Sequence, residues 1–367
     1  MARRGENIYK RKDNRWEGRY MKGSDCQGKT KFGYVYAKTY REVKEKLSAC
    51  KQAAAKPERC KKDFGAFCDE WLLLSRSRVK DSTYVKYYST VNHHLKPGLG
   101  GFLPQDLNTV AIENFSHDLL TGGLSVKTVQ DILTVLRAVL KYCRCQIGPS
   151  FPDIEVIYPK ERKKEMRVLT LEEQTKFMQY LLCNMDEVKF GILLALLTGM
   201  RIGEICALKW TDLSLENQTV HVGSTMQRLQ ILDAHSDTKT KIVVGDTKSQ
   251  TSNRVIPLTD YAVSLCRKMK PANNTAFVLT GDPIRFLEPR TLQYRLGKYT
   301  ADCGLKDVHF HVLRHTFATR CVEVGFEIKS LSEILGHSSA KVTLDRYVHS
   351  SLELKRANME KLAAVGL

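Results

Sequence analysis

The chain has 367 residues, 43% of them hydrophobic, and carries a formal net charge of +18 at pH 7. That length exceeds one compact core and implies two or three domains. No apolar run reaches the roughly 20 residues of a membrane span, and the basic start MARRGENIYKRKDNRW has no apolar segment behind it, so it does not read as a secretory signal.

The charge is unevenly placed. Residues 1–63 hold 19 Lys/Arg against 8 Asp/Glu, a surplus of 11. Such a basic arm points to a polyanionic partner, with nucleic acid, a membrane surface and the ribosome all compatible. Within it, NIYKRKDNRWEGRYM and TKFGYVYA read as short strands, and TYREVKEKLSACKQAAA as a helix with Val43, Leu47 and Ala53 interleaved among charges. A small three-stranded sheet plus one helix, basic on one sheet face, suits a ribbon entering a DNA groove; a merely solvated face is the competing reading. Pro57 and the run RCKKD mark a linker.

Residues 64–150 read as helical throughout, a bundle of four or five helices. Phe67, Trp71 and Leu74 form one apolar stripe, and Tyr84, Tyr87, Tyr88, Val91 and Leu95 another. HLKPGLGGFLPQDL carries glycine and proline where helices stop. Lys80, Lys86 and Lys127 are candidate phosphate contacts, no better individually than surface lysines. Residues 151–165, including PKERKKEMRVLT in part, read as a charged linker. A third domain, 166–367, opens on TLEEQTKFMQYLL, where Thr170 and Glu173 match a capping box. The apolar helix KFGILLALLTG follows, then strands TVHV and NRVIPL, then helices. The eleven cysteines, odd in number and without CxxC pairs or companion histidines at metal spacing, read as free thiols of a reducing cytoplasm.

Four pieces of the third domain carry chemistry jointly. In TGMRIGEICALKW, an apolar helix ends at Gly199 and Arg201 opens the next, where free backbone N–H groups favour an anion. Its guanidinium can grip two phosphate oxygens, and Glu204 one turn on can orient it. In HFHVLRHTFATR, His311 and Arg314 share a helix face while His315 points elsewhere and reads as a structural histidine. In ILGHSSAKVTLDRYVHS, His337 follows the helix-ending Leu335-Gly336, Ser338 and Ser339 can cap the next helix, and Tyr347 lies on that helix. DTKSQTSNRVIPL is a polar turn between strands with Lys248 near its tip, Lys239 and Lys241 being close competitors.

TGMRIGE, HxLRHTFAT and LGHSS…TLDRY, in this order with a lysine hairpin between, resemble the catalytic signature of the tyrosine recombinases. The arrangement is similar to lambda-type and conjugative-transposon integrases, strongly over 166–350 and more loosely before. The resemblance implies a multidomain α+β fold: a sheet-and-helix arm-binding domain (1–63), a helical SAM-like core-binding domain (64–150), and a mainly α catalytic domain with a small sheet, the DNA breaking-rejoining fold. It implies a site of Arg201, Lys248, His311, Arg314, His337 and Tyr347, working without metal or other cofactor. Tyr347 would form a 3′-phosphotyrosine, Lys248 would protonate the leaving 5′-oxygen, His311 would take the phenol proton, and nearby arginines would lower the cost of ionising the phenol. It further implies double-stranded DNA as partner at core and arm sites, a homotetramer on paired sites, an excisionase and a DNA-bending protein, and a bacterial cytoplasmic, nucleoid-associated location for integration and excision of a prophage or conjugative transposon. The tail SLELKRANMEKLAAVGL resembles the segment that packs on a neighbouring protomer. A type IB topoisomerase would not need the basic arm, and a Xer-type resolvase usually lacks it. A non-enzymatic binder would leave the joint spacing as coincidence.

Overall fold

The computed structural model describes residues 7–24, 30–54, 61–161, 166–232, 238–246 and 253–347. Its contacts divide the chain into two units, Met1–Arg162 and Lys163–Leu367.

In the first unit, strands β1 (Ile8–Lys10), β2 (Trp16–Ser24) and β3 (Thr30–Ala37) form an antiparallel sheet in that order. Alternation puts Ile8, Gly18, Val35 and Ala37 toward helix α1 (Tyr40–Ala54), whose Val43 and Leu47 are buried against them. Gly18 is obligatory here, because a Cβ would stand 2.8 Å from Val43 Cγ1. The other face carries the cross-strand pairs Glu17–Tyr36, Arg19–Tyr34 and Met21–Phe32. Arg19 stacks 3.4 Å from the Phe32 ring centroid and Arg11 lies 5.4 Å from that of Tyr36.

The bundle comprises α2 (Phe64–Arg76), α3 (Asp81–Thr90), α4 (Lys96–Leu99), α5 (Thr109–Thr121) and α6 (Val126–Ile147). Asp63, Asn108 and Ser125 cap α2, α5 and α6 with side-chain oxygens. Two details depart from the sequence expectation. Leu74 faces outward, and the α2 stripe runs instead through Phe64, Phe67, Cys68, Leu72 and Ser75. Pro97 does not stop its helix: a π-turn over Val91–Leu95 joins α3 to α4, and the chain breaks only at Gly100-Gly101. The widened turn already alters the i→i−4 ladder where proline lacks its donor, so the ring costs little there. Lys86 and Lys127 both pair with Asp131, at 2.7 and 3.4 Å. After α6 the chain runs extended, with Ile154, Val156 and Tyr158 packed on the bundle core and Gln130 Nε2 donating to Pro159 O at 2.8 Å.

The second unit is built around α8 (Glu187–Thr198), which is apolar on all sides and buried from Phe190 to Leu196. Around it lie α7 (Leu171–Leu182), held by the complete Thr170/Glu173 capping box, and α9 (Ile202–Ala207). Strands β4 (Leu213–Ser214), β5 (Thr219–Val222) and β8 (Arg254–Pro257) form an antiparallel sheet, while β6 (Ser224–Gln230) and β7 (Thr240–Asp246) form a hairpin. Helices α10 (Asp260–Met269), α11 (Pro289–Asp302), α12 (Phe310–Glu323), α13 (Ile328–Leu335) and α14 (Ala340–Tyr347) complete it. Among the described residues, no helix is long and apolar enough to cross a membrane.

Candidate active site

Helix α8 ends on Gly199 in the left-handed conformation (φ +67°), and the turn sets Arg201 as the N-cap of α9. Glu204, one turn on and 3% exposed, accepts from the Arg201 backbone N–H at 2.8 Å and from its Nη1 at 2.8 Å. The same carboxylate takes both terminal nitrogens of Arg254, at 3.1 and 2.8 Å. Burial pushes the Glu204 carboxyl up, but Arg254 and Arg201 outweigh it and hold it below its ordinary value.

Helix α13 ends on Gly336, again left-handed (φ +64°). Its last three carbonyls each receive an arginine. Ile334 O accepts from Arg254 Nε at 2.5 Å, Leu335 O from Arg314 Nη2 at 2.6 Å, and Gly336 O from Arg201 Nη2 at 3.1 Å. A helix C-terminus has carbonyls without intrahelical partners and the negative end of the macrodipole, so it gathers cations. Arg314 also donates to Gly199 O at 2.8 Å, which ties the ends of α8 and α13 together.

A cavity of about 320 Å³ opens against this girdle, lined by Arg201, His311, Arg314, His315, Gly336, His337, Ser338, Val342 and Arg346. Burial, then Arg201, pushes Arg314 down to about 9, so it stays cationic at neutral pH. Burial, then Arg314, lowers His311 below its ordinary value. His337 is pushed to about 4, by burial first and then by Arg314 and Arg201, and His315 to about 4, by burial and then His311. Cations in this cavity repel one another more than Glu204 offsets, so it is prepared for an anion.

Tyr347, 5% exposed, packs with Ala318, Cys321, Leu331 and Leu335. Its hydroxyl is 2.8 Å from His315 Nδ1, and the Arg314 cation stands near enough to favour its ionised form. Its ring lies parallel to that of His337, 6.4 Å between centroids. His337 Nδ1 is in turn 2.8 Å from the hydroxyl of Thr343, one turn before Tyr347. Arg314, Arg346 and Arg201 do make the phenol easier to ionise, as expected, but burial exceeds them and the phenol is raised above its ordinary value.

Five of the six expected site residues, Arg201, His311, Arg314, His337 and Tyr347, therefore converge within the second unit. Lys248 lies outside the described residues, as does the tail after Tyr347. The competing lysines, Lys239 and Lys241, are exposed on the β6–β7 hairpin, and neither lines the cavity. His315 does not point elsewhere: it lines the cavity and bonds the phenol. Helix α12 is buried at Phe310 and from Val312 through Thr316, on most of its circumference, so spacing alone could not single out one inward face. Arg254 and Arg346 were not anticipated. Arg346 stands beside Tyr347 in TLDRY, whereas nothing in NRVIPL distinguishes Arg254 from a surface arginine at a strand start.

Comparison with known proteins follows the same lines. The model of the phage integrase family matches residues 167–353, and that of the phage integrase N-terminal SAM-like domain matches residues 63–120. A tyrosine recombinase XerC-like protein of Caldanaerobacter subterraneus subsp. tengcongensis is 25% identical over 321 residues, covering 81% of this chain and 82% of its own length. The integrase of Staphylococcus phage L54a is 24% identical over 363 residues, covering 88% and 97%. The fold resembles that of the Tn1549 transposon integrase in complex with a circular intermediate DNA, with a TM-score of 0.67 at 20% identity, covering 82% of this chain and 99% of that one.

Proposed function

Because the chain belongs to the phage integrase family, whose matched relatives are tyrosine recombinases and integrases, we propose that it integrates and excises a mobile element by a 3′-phosphotyrosine route with Tyr347 as nucleophile. As a member of that family the chain is a site-specific recombinase that cuts and rejoins DNA.

One observation carries the assignment of residues: two guanidinium groups from helices far apart in sequence, Arg201 and Arg314, are fixed on the wall of one cavity, where the lining His315 and His337 contact the Tyr347 ring. A phosphodiester in that cavity would have its non-bridging oxygens against Arg201, Arg314 and His337, where negative charge builds in the transition state. Arg201 and Arg314 are held by carbonyls at the end of α13, and Arg201 also by Glu204, so these two donors need little reorganisation when charge develops. A covalent intermediate suits the task, because hydrolysis would lose the backbone bond that rejoining must recover. The leaving 5′-oxygen is far more basic than a phenolate and needs a proton, which we assign to Lys248.

The finer reading follows from the same premise. Residues 64–150 grip the core site, and the sheet of β1–β3 reads the arm site with its face of arginines and aromatic rings. Paired sites are joined in a tetramer, with an excisionase and a DNA-bending protein as accessory partners, inside the bacterial cytoplasm. Residues after Ser350 are assigned to contact with a neighbouring protomer.

The test is a nicked duplex that traps cleavage by losing the short 5′-fragment. The wild-type protein forms a protease-sensitive DNA adduct, and Tyr347→Phe forms none while binding the duplex equally well. An adduct that persists in Tyr347→Phe removes Tyr347 as the nucleophile. Lys248→Ala slows cleavage, and a 5′-bridging phosphorothiolate, whose thiolate leaves without a proton, restores the rate; a substrate that restores nothing refutes the acid role.

A further inference from the structure

We infer that His315, through Nδ1, is the immediate acceptor of the Tyr347 phenol proton during DNA cleavage, and that His311 is not. The inference rests on Tyr347 being the nucleophile.

The geometry is direct. The phenol oxygen lies 2.8 Å from His315 Nδ1, with the Arg314 cation close enough to act on it electrostatically. The nearby Arg314 cation attracts the oxygen's lone pairs and repels its hydrogen, so the phenol hydrogen turns to the imidazole, whose Nδ1 then offers a lone pair. That fixes the neutral ring's own proton on Nε2. His311, by contrast, meets His315 rather than the phenol as a ring contact, 5.9 Å between centroids. His337 lies parallel to the phenol ring and spends Nδ1 on Thr343.

The surroundings keep the acceptor ready. Burial, then His311, Arg346, Arg314 and His309, depress its proton affinity, so the ring is neutral at pH 7. A phosphodiester entering the cavity sets a negative charge beside these groups and raises the basicity of the ring. Proton transfer is thereby coupled to occupancy of the site, and an empty site holds a protonated, buried phenol.

The step balances. The Oη–H bond breaks and its proton passes to Nδ1, while the oxygen's electron pair forms the Oη–P bond. The P–O5′ bond breaks, its pair leaves on the 5′-oxygen, and that oxygen takes a proton from Lys248 in the reading above. On rejoining, the 5′-hydroxyl returns its proton to the lysine as it attacks, and Nδ1 returns its proton to Oη.

His315→Asn tests this, because an amide oxygen can accept the phenol hydrogen bond from nearly the Nδ1 position but cannot be protonated. We expect adduct formation at saturating protein to slow about a hundredfold or more, with duplex affinity retained. Replacing Tyr347 by a fluorinated, more acidic tyrosine should speed the His315→Asn protein by about tenfold or more and the His315 protein by much less. This ratio is read within one folded background, so general instability does not imitate it. His315→Gln takes over should the asparagine protein melt early. Wild-type cleavage rates in these variants, no gain from the fluorinated phenol, or the gain appearing in His311→Gln instead would each overturn the assignment. An adduct surviving in Tyr347→Phe with His315 intact would instead bring down the nucleophile reading beneath it.

Discussion

Glu204 shows how much one buried side chain can hold. Its carboxylate bridges Arg201, which faces the cavity, and Arg254, which does not, with Glu204 3% and Arg254 5% exposed at the side chain. Glu204→Gln leaves two guanidinium groups against an uncharged amide. Breaking a buried pair costs about 3–5 kcal/mol, and the retained amide oxygen places this variant near the lower figure. For a domain of this size that lowers Tm by roughly 6–12 °C. The sign with pH is fixed by direction: Glu204 is held below its ordinary 4.5, so its contribution is complete above that value and is lost as pH falls through the lower folded value. The Tm gap between wild type and Glu204→Gln therefore narrows in acid, and a gap that widened would contradict the pairing. His315 and His337 act from a different window. Both are depressed from 6.5 to about 4, so unfolded chains bind protons that the fold refuses, and wild-type stability begins to fall below about pH 6.5. The sequence disclosed the residues that a short motif sets side by side, Arg201 with Glu204 and His311 with Arg314. It concealed Arg254, whose partner lies 50 positions away and whose burial only tertiary packing creates.

Two left-handed glycines turn helix ends into the frame of the site. Gly199 ends α8, offers its carbonyl to Arg314, and is followed two residues later by Arg201. A Cβ there would sit 2.5 Å from Phe317 Cδ1, in a conformation that costs a side-chain-bearing residue about 1–2 kcal/mol. Gly199→Ala should thus both lower Tm and displace two catalytic candidates, cutting adduct formation by more than the loss of folded protein explains. Gly297 is the control within the same unit: it is exposed in the middle of α11, a Cβ there meets nothing within 4 Å, and Gly297→Ala should stabilise by about 0.5–1 kcal/mol without changing cleavage. Equal cleavage defects in the two variants would sink the argument. At this scale the chain was readable where local chemistry rules. The capping box at Thr170, the stop at Gly199 and the turn at Leu335-Gly336 stand where spacing put them. It was less readable where packing overrides a local signal. Pro97 marks a break by itself, yet the π-turn before it lets the helix run on to Leu99.

For the whole molecule, the net charge of +18 has to be divided between a site that stabilises charge and surfaces that hold DNA. The cavity uses only a handful of cations, all in the second unit. The first 63 residues hold the larger surplus, and their sheet turns toward solvent a face that is not merely basic. Tyr9, Phe32, Tyr34 and Tyr36 are 41–53% exposed there, interleaved with Arg11 and Arg19. Large exposed rings stiffened by stacked guanidinium groups cost a solvated surface stability without return, whereas on DNA they add contact area beside phosphate-binding cations. If this face holds phosphates, each contact contributes about 0.9 to the slope of log affinity against log salt. The double variant Arg11→Gln with Arg19→Gln in the full chain should then flatten that slope by about 2 on duplex DNA carrying the arm sequence. Adduct formation on a core-site duplex at saturating protein should stay at the wild-type rate, because neither arginine belongs to the unit that holds Tyr347. An unchanged slope would return the face to ordinary solvated surface. A fall in the core-site cleavage rate would instead show that the first unit works on the chemistry and not only on holding DNA.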